Sequence, residues 1–382
     1  MMLCVVHAQI YTPAQVIDDG VVIVADGRII SVEPAGQTPL PENAHILDAA
    51  GYTLVPGFID LQVNGGFGFD FTRDPATIWT VAAQLPRFGV TTFLPTIVTS
   101  PMATVQAAQL VIEKGPPAGF EGAWPLGLHL EGPFLNPAKK GAHNPDYMRR
   151  PSLQDVVNWS PDNGVRLVTL APELPGAPKL IQALTGRGVA VSAGHSTATF
   201  DEAILGFDAG IGYGTHLFNA MPAMHHREPG LAGALLADER ITVGLIPDGI
   251  HVHPALVRLV WELAGERLNL VTDAMAALGM PAGTYQLGDM IANVDSVSAR
   301  LPDGTLAGCT IPMNAALENL IAYTGCSLGE ALSTITTIPA GLLGINKGRI
   351  GPGYDADLVL LTPDRQVQLA IVAGRIVYEK TE

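Results

Sequence analysis

The chain has 382 residues, 48% hydrophobic and only 15% charged, which suits one large packed domain with a smaller appendage and excludes a disordered protein. A formal net charge of −15 excludes a nucleic acid or an anionic membrane surface as partner, because both require clustered Lys and Arg. Cys4, Cys309 and Cys326 form no C-x-x-C pair and are odd in number, which argues against a disulfide framework or a Cys-rich zinc site; they read as small buried residues. The opening MMLCVVHAQI carries neither a basic n-region nor a cleavage site, and no apolar run reaches the ~18 residues of a membrane span. The expected location is the cytoplasm.

In chain order, the first segment is strand-like, as in ADGRIISV (25–32), with Gly and Asp turns and no helical period. From about residue 54 to 345, short β-branched runs alternate with segments of helical pattern, as βα units around a parallel sheet do. The runs are TLVPGFID, GVTTFLPT, PLGLHLE, VRLVTLAP, GVAVSAGH, GIGYGTH, ITVGLIPD and LNLVTD, and eight is the number that closes a (β/α)8 barrel. An open doubly wound sheet is the alternative, disfavoured because no G-x-G-x-x-G turn opens the first unit. The last segment, DADLVLL through VAGRIVYE (355–379), is again strand-like. The expected organisation is α/β: residues 1–53 and 346–382 sharing one small β-sandwich domain, with the barrel, 54–345, between them.

Active sites of such barrels form at the C-terminal strand ends, and the polar residues collect there. The first strand, in PGFIDLQVNGG, carries Asp60, Gln62 and Asn64 on one face, since alternate residues of a strand point the same way. Glu131 ends the third strand, His195 the fifth, His216 the sixth and Asp273 the eighth. Two imidazoles and one carboxylate with a fourth position open make the ligand set of a catalytic zinc ion, which lowers the pKa of its water to ~7. Asp273 then suits the proton transfer from that water to a leaving nitrogen. Each residue taken alone reads equally as a hydrogen-bonded polar group; four of them at four strand ends do not. His129 shares a face with Glu131 and is expected to orient its carboxylate, with ligation as the alternative. His7 and His45 are expected in solvent, and His225, His226 and His253 in loops or at a helix start.

PGFID, GLHLEGPF, KKGAHNP, VSAGHS, THLFNAMP, REPGLAG, DGIHV and LVTDAM occur in this order along nearly the whole chain. With these segments the sequence resembles the amidohydrolase superfamily and, within it, the N-acetylglucosamine-6-phosphate deacetylases. The resemblance implies a (β/α)8 barrel flanked by a β-sandwich from both termini. It implies one divalent ion, zinc or alternatively iron, on Glu131, His195 and His216. Many superfamily members hold a second ion on His-x-His after the first strand, where Gln62 and Asn64 stand here; amides are poor ligands beside imidazole.

The same resemblance implies hydrolysis of the N-acetyl group of N-acetylglucosamine 6-phosphate, with Asp273 as proton shuttle and His143 polarising the carbonyl. It implies substrate contacts at Ala142 and His143, at the backbone N–H groups of Asn219 and Ala220, and at the Arg227 guanidinium. Two further segments belong to that pocket, Asp248, Gly249, Ile250 and His251, and Leu306, Ala307 and Gly308. The implied partner is a small amino-sugar phosphate, and the implied assembly a homodimer or homotetramer. A cyclic-amide hydrolase is a second reading, disfavoured because Gln62 and Glu131 do not suit the carboxylated Lys and paired metals it uses. A scaffold protein on the same fold is the third, disfavoured by the full set of candidate ligands.

Overall fold

A computed structural model describes residues 2–381. Eight parallel strands pair in chain order: Phe58–Val63, Val90–Val98, Leu128–Glu131, Val165–Leu170, Ala190–Ala193, Tyr213–Gly214, Thr242–Leu245 and Leu268–Leu270. The ring closes in two places. At the C-terminal end Val63 bridges Ala274, and the N–H of Asn64 donates to Ala274 O at 2.7 Å. Lower down, Thr334 and Ile335 wedge between the first and last strands, accepting from Leu270 N–H at 3.2 Å and Ile59 N–H at 2.7 Å. The expected barrel is therefore present, and all eight runs supply its strands.

The run TLVPGFID, read as one strand, is two. Thr53–Pro56 joins the terminal sheet, and Phe58–Val63 enters the barrel. The break is at Gly57, where an added Cβ would stand 2.1 Å from Thr91 Oγ1, so only glycine lets the two strands approach. Strand Val90–Val98 is buried along its whole length, as its β-branched run requires in a parallel sheet covered on both faces. Outside lie the helices. Ala177–Thr185 buries Ala177, Leu180, Ile181 and Leu184, one stripe of an amphipathic helix. Phe200–Ala209 starts on a capping box of Thr199 and Glu202.

The two chain ends build one sheet of eight strands. Met2–Tyr11, Val16–Ala25, Arg28–Pro34, His45–Asp48 and Thr53–Pro56 come from one end, and Leu358–Leu361, Val367–Val372 and Arg375–Glu379 from the other. It curls over a core that includes Leu3, Ile10, Val24, Leu54 and Leu358, and Ile29 N–H reaches Tyr354 O at 2.9 Å across the fold. Three short strands, Gly283–Leu287, Met290–Val294 and Ala299–Arg300, form a separate small sheet after the eighth barrel strand that the sequence reading did not anticipate.

A buried carboxylate is among the contacts that pin the terminal sheet to the barrel. Asp357 accepts from Lys347 Nζ at 2.7 Å, Thr92 Oγ1 at 3.0 Å and Ala373 N–H at 2.8 Å. Its side chain is 2% exposed and that of Lys347 12%. Asp357→Ala leaves that ammonium only the more distant Asp355, at 3.3 Å, so unfolding free energy by denaturant titration should fall by about 1.5–3 kcal/mol. The exposed Arg258–Glu262 pair is the control: Arg258→Ala should cost less than about 0.5 kcal/mol.

Candidate active site

Each barrel strand ends by turning sharply, and three of those turns hold a polar side chain in a conformation that L residues avoid. His195, His216 and Asp273 have φ of 49°, 31° and 49°. Neighbours hold them there: His195 O accepts from Asn136 N–H at 2.9 Å, and Glu173 accepts from Thr197 N–H, Ser196 Oγ and Asn136 Nδ2 at 2.7, 2.7 and 2.9 Å. Glu173, unremarked in the sequence reading, thereby ties together the loops after the third, fourth and fifth strands.

The strand ends bring Glu131, His195 and His216 into one triangle. Glu131 Oε1 is 3.2 Å from His195 Nε2 and 3.0 Å from His216 Nε2, and the two nitrogens are 3.1 Å apart. His195 Nδ1 faces the carbonyl of Lys139 at 2.9 Å, which can only accept, so the His195 proton sits on Nδ1 and its Nε2 presents a lone pair. Three converging donors with edges near 3.1 Å match one face of a tetrahedral zinc site, whose ligands at ~2.0–2.1 Å stand roughly 3.3 Å apart. The donor set therefore fits a divalent ion.

Asp273 stands beside this triangle. Its Oδ1 accepts from Asn64 Nδ2 at 2.7 Å and from Gln62 Nε2 at 3.0 Å, and the same Gln62 nitrogen donates to Glu131 Oε1 at 3.1 Å. The side-chain oxygens Gln62 Oε1 and Asn64 Oδ1 are buried without partners, and reversing either amide would set oxygen against carboxylate oxygen. Burial first, and the Glu131 charge second, raise Asp273 to about 6; a cation on the triangle opposes both. Asp60 does not join this cluster as expected. It accepts from Thr272 Oγ1 at 2.5 Å deeper in the barrel, and burial raises it to about 7.

His143 Nδ1 accepts from Thr99 N–H at 3.2 Å, which places its proton on Nε2, 3.6 Å from Glu131 Oε2. Burial lowers its pKa to about 3, so it is a neutral N–H donor. His129 does not orient Glu131. Its ring nitrogens meet Thr96 Oγ1 at 3.1 Å and Thr169 Oγ1 at 2.7 Å, in a fully buried hydroxyl chain that continues to Thr215 and Ser192.

A cavity of about 590 Å³ opens over these groups. Glu131, His143, His195, His216 and Asp273 line it, and so do Ala142, Asn219, Ala220, His251, Leu306 and Gly308 of the expected substrate segments. Asp248 carries its neighbour His251, accepting from His251 Nδ1 at 2.6 Å; Gly249, Ile250 and Ala307 are not on the cavity wall. The Asn219 N–H is already donated to His216 O at 3.0 Å, leaving Ala220 as the freer of that pair. Arg227 is outside the cavity, exposed, with Nη1 2.9 Å from His226 Nε2. Lys139, Lys140 and Arg300 do line it, although the sequence reading gave them no part. Arg300 reaches it from the unanticipated three-stranded sheet, which is why its place was not visible beforehand.

A barrel mouth with one ligand triangle and one amide-clamped carboxylate is the layout of a metal-dependent hydrolase. Residues 53–377 match the amidohydrolase family, and the chain belongs to it. It is 40% identical over 353 residues to N-acetylglucosamine-6-phosphate deacetylase of Rattus norvegicus, covering 88% of this chain and 86% of the relative. It is 38% identical over 366 residues to N-acetylgalactosamine-6-phosphate deacetylase of Escherichia coli O157:H7, covering 94% and 95%. The crystal structure of N-acetylglucosamine-6-phosphate deacetylase from Pasteurella multocida superposes with a TM-score of 0.93 over the whole of both chains, at 32% identity.

Asn64 gives the sharpest test of the Asp273 clamp. Asn64→Leu removes one hydrogen bond to the charged carboxylate, worth roughly 1.5–3 kcal/mol. Amide hydrolysis should fall about 10–100-fold, and the acid limb of the pH–rate profile should move to higher pH because the carboxylate form loses support. Metal content measured by elemental analysis should stay at the parent value.

Proposed function

We propose that this chain hydrolyses the N-acetyl group of N-acetylglucosamine 6-phosphate, giving glucosamine 6-phosphate and acetate. The observation that carries this reading is the convergence of Glu131, His195 and His216 beside the amide-clamped Asp273 at the floor of one cavity. The deacetylase relatives supply the substrate class. The alternative substrate is the C4 epimer, since a relative named for it aligns over 94% of the chain. Acetate release from the two sugar phosphates, compared as kcat/KM, decides between them.

One catalytic divalent ion per chain, zinc by donor set and otherwise iron, belongs on Glu131, His195 and His216; when bound it would acidify water and draw electron density from the acetyl carbonyl. The chain's own groups do the rest. The His143 Nε2–H donates to the carbonyl oxygen as negative charge builds there. Asp273, with Oδ1 held by two amides, has Oδ2 left to take the water proton and then give it to the departing amine. Asp273→Asn keeps the size but cannot carry a proton, so kcat should drop by about 10²–10⁴ with metal still bound. Turnover within threefold of the parent would remove Asp273 from this role.

The phosphate is held by short-range donors, because a chain of net charge −15 offers no long-range attraction. His251 and the Ala220 N–H are the donors within the chain. Arg227 serves the cavity of a neighbouring subunit in a homodimer or homotetramer: it is exposed, it lies outside its own cavity, and Met224 beside it is 51% exposed. Among the described residues no helix is long and apolar enough to cross a membrane. We assign the enzyme to the cytoplasm, where three free thiols are stable. Mixing Asp273→Asn with Arg227→Ala chains tests the sharing. Recovered activity after subunit exchange supports it, and none despite demonstrated exchange places Arg227 within its own chain.

A further inference from the structure

Behind His251, which lines the cavity, stands a second group of metal-binding side chains. Asp248 and His251 follow the seventh barrel strand, and Cys309 follows the three-stranded sheet. Asp248 Oδ2 is 2.6 Å from His251 Nδ1 and 3.5 Å from Cys309 Sγ, and the three atoms lie within 4.8 Å of one another. The other carboxylate oxygen accepts from the N–H groups of Ile250 and His251 at 2.8 and 2.7 Å, which fixes Oδ2 toward the imidazole and thiol. The side chains of Asp248 and His251 are 3% and 6% exposed, and Cys309 is 4% exposed.

We propose that Asp248, His251 and Cys309 form a second site for a thiophilic divalent ion, separate from Glu131, His195 and His216. A carboxylate, an imidazole and a thiolate together select zinc and its first-row neighbours over magnesium and calcium. Ligands at ~2.0–2.3 Å from a tetrahedral ion stand roughly 3.3–3.5 Å apart. The Asp248–Cys309 spacing already meets this, and the Asp248–His251 spacing does so after the ring swings by less than about 1 Å. On binding, the Cys309 thiol proton leaves to solvent and the His251 Nδ1 proton is replaced by one on Nε2. The ion brings two positive charges and displaces one proton, so carboxylate and thiolate neutralise it and the wall changes from one negative charge to none. Three protein ligands leave one position for water.

Filling this site shifts the His251 ring and removes a negative charge behind it, so zinc beyond the amount that saturates the first site should change KM for the sugar phosphate. That consequence rests on the proposed function; ion binding does not. Cobalt(II) added to metal-stripped protein separates the two. The Glu131, His195 and His216 set contains no sulfur, so a near-ultraviolet sulfur-to-cobalt charge-transfer band reports only a thiolate site. The band should grow to one thiolate-bound cobalt per chain, survive Cys326→Ser and vanish in Cys309→Ser. The Cys309→Ser protein should still take up one cobalt, which shows that it is folded. Absence of the band at several equivalents of cobalt, or its persistence in Cys309→Ser, overturns the proposal. A Cys309-dependent band with KM unmoved by zinc leaves the second site standing and removes its coupling to substrate binding.

Discussion

Three lone-pair atoms from three strands, Glu131 Oε1, His195 Nε2 and His216 Nε2, stand within 3.2 Å of one another, and most of the cavity floor is arranged to hold them so. Left to themselves such atoms repel or share protons. Here the contest is settled from behind: the Lys139 carbonyl claims the His195 Nδ1 proton, and Gln62 occupies the free direction on Glu131. The left-handed backbone at His195, His216 and Asp273 costs on the order of 1–3 kcal/mol at each residue. Barrel closure and the Glu173 brace sustain that cost, because neither His195 nor Asn136 can relax without breaking bonds on adjacent strands.

The eight strands were legible because buried parallel strands are written as β-branched runs, and the strand-end residues because a barrel aims them at one mouth. Period-two alternation also put Gln62 and Asn64 on the correct face, yet it assigned them only a negative meaning, as lost ligands. Their positive role depends on Asp273, more than two hundred residues away, and no local pattern encodes that distance. The same alternation grouped Asp60 with them, although Thr272 captures it one layer lower. His129 was misjudged for a related reason. Sharing a face with Glu131 says nothing about depth, and Thr96 and Thr169 from the flanking strands reach its ring first.

The cavity rim was the least legible part. Its cations, Lys139, Lys140 and Arg300, come from a loop and from a small sheet inserted after the barrel, and loops announce turn residues rather than destinations. Lys139 already donates to Met221 O at 2.8 Å, and Arg300 to Ser298 Oγ at 3.1 Å and Gly304 O at 2.9 Å. These two cations are braced by neutral acceptors, while Asp303 on the same wall lies near Lys140 and Asp295 near Arg300. In a chain with 36 acidic and 21 basic residues, those three cations offset part of the negative charge at the mouth.

The exchange of imidazoles for amides at positions 62 and 64 has an electrostatic reading that joins these points. A second cation there would sit against Asp273 and draw its carboxylate toward ligation, leaving it a weak base. Two amide N–H groups stabilise the same oxygen, Oδ1, by hydrogen bonds alone, and Burial with the nearby Glu131 charge keeps the carboxylate at about 6 before any cation is considered. A carboxylate free of metal ligation can both accept and return a proton, whereas one tied to a second metal returns it poorly. The amides therefore hold the position of Asp273 while lowering its basicity less than a second cation would, and they leave Glu131, His195 and His216 as the candidate ion site at these strand ends.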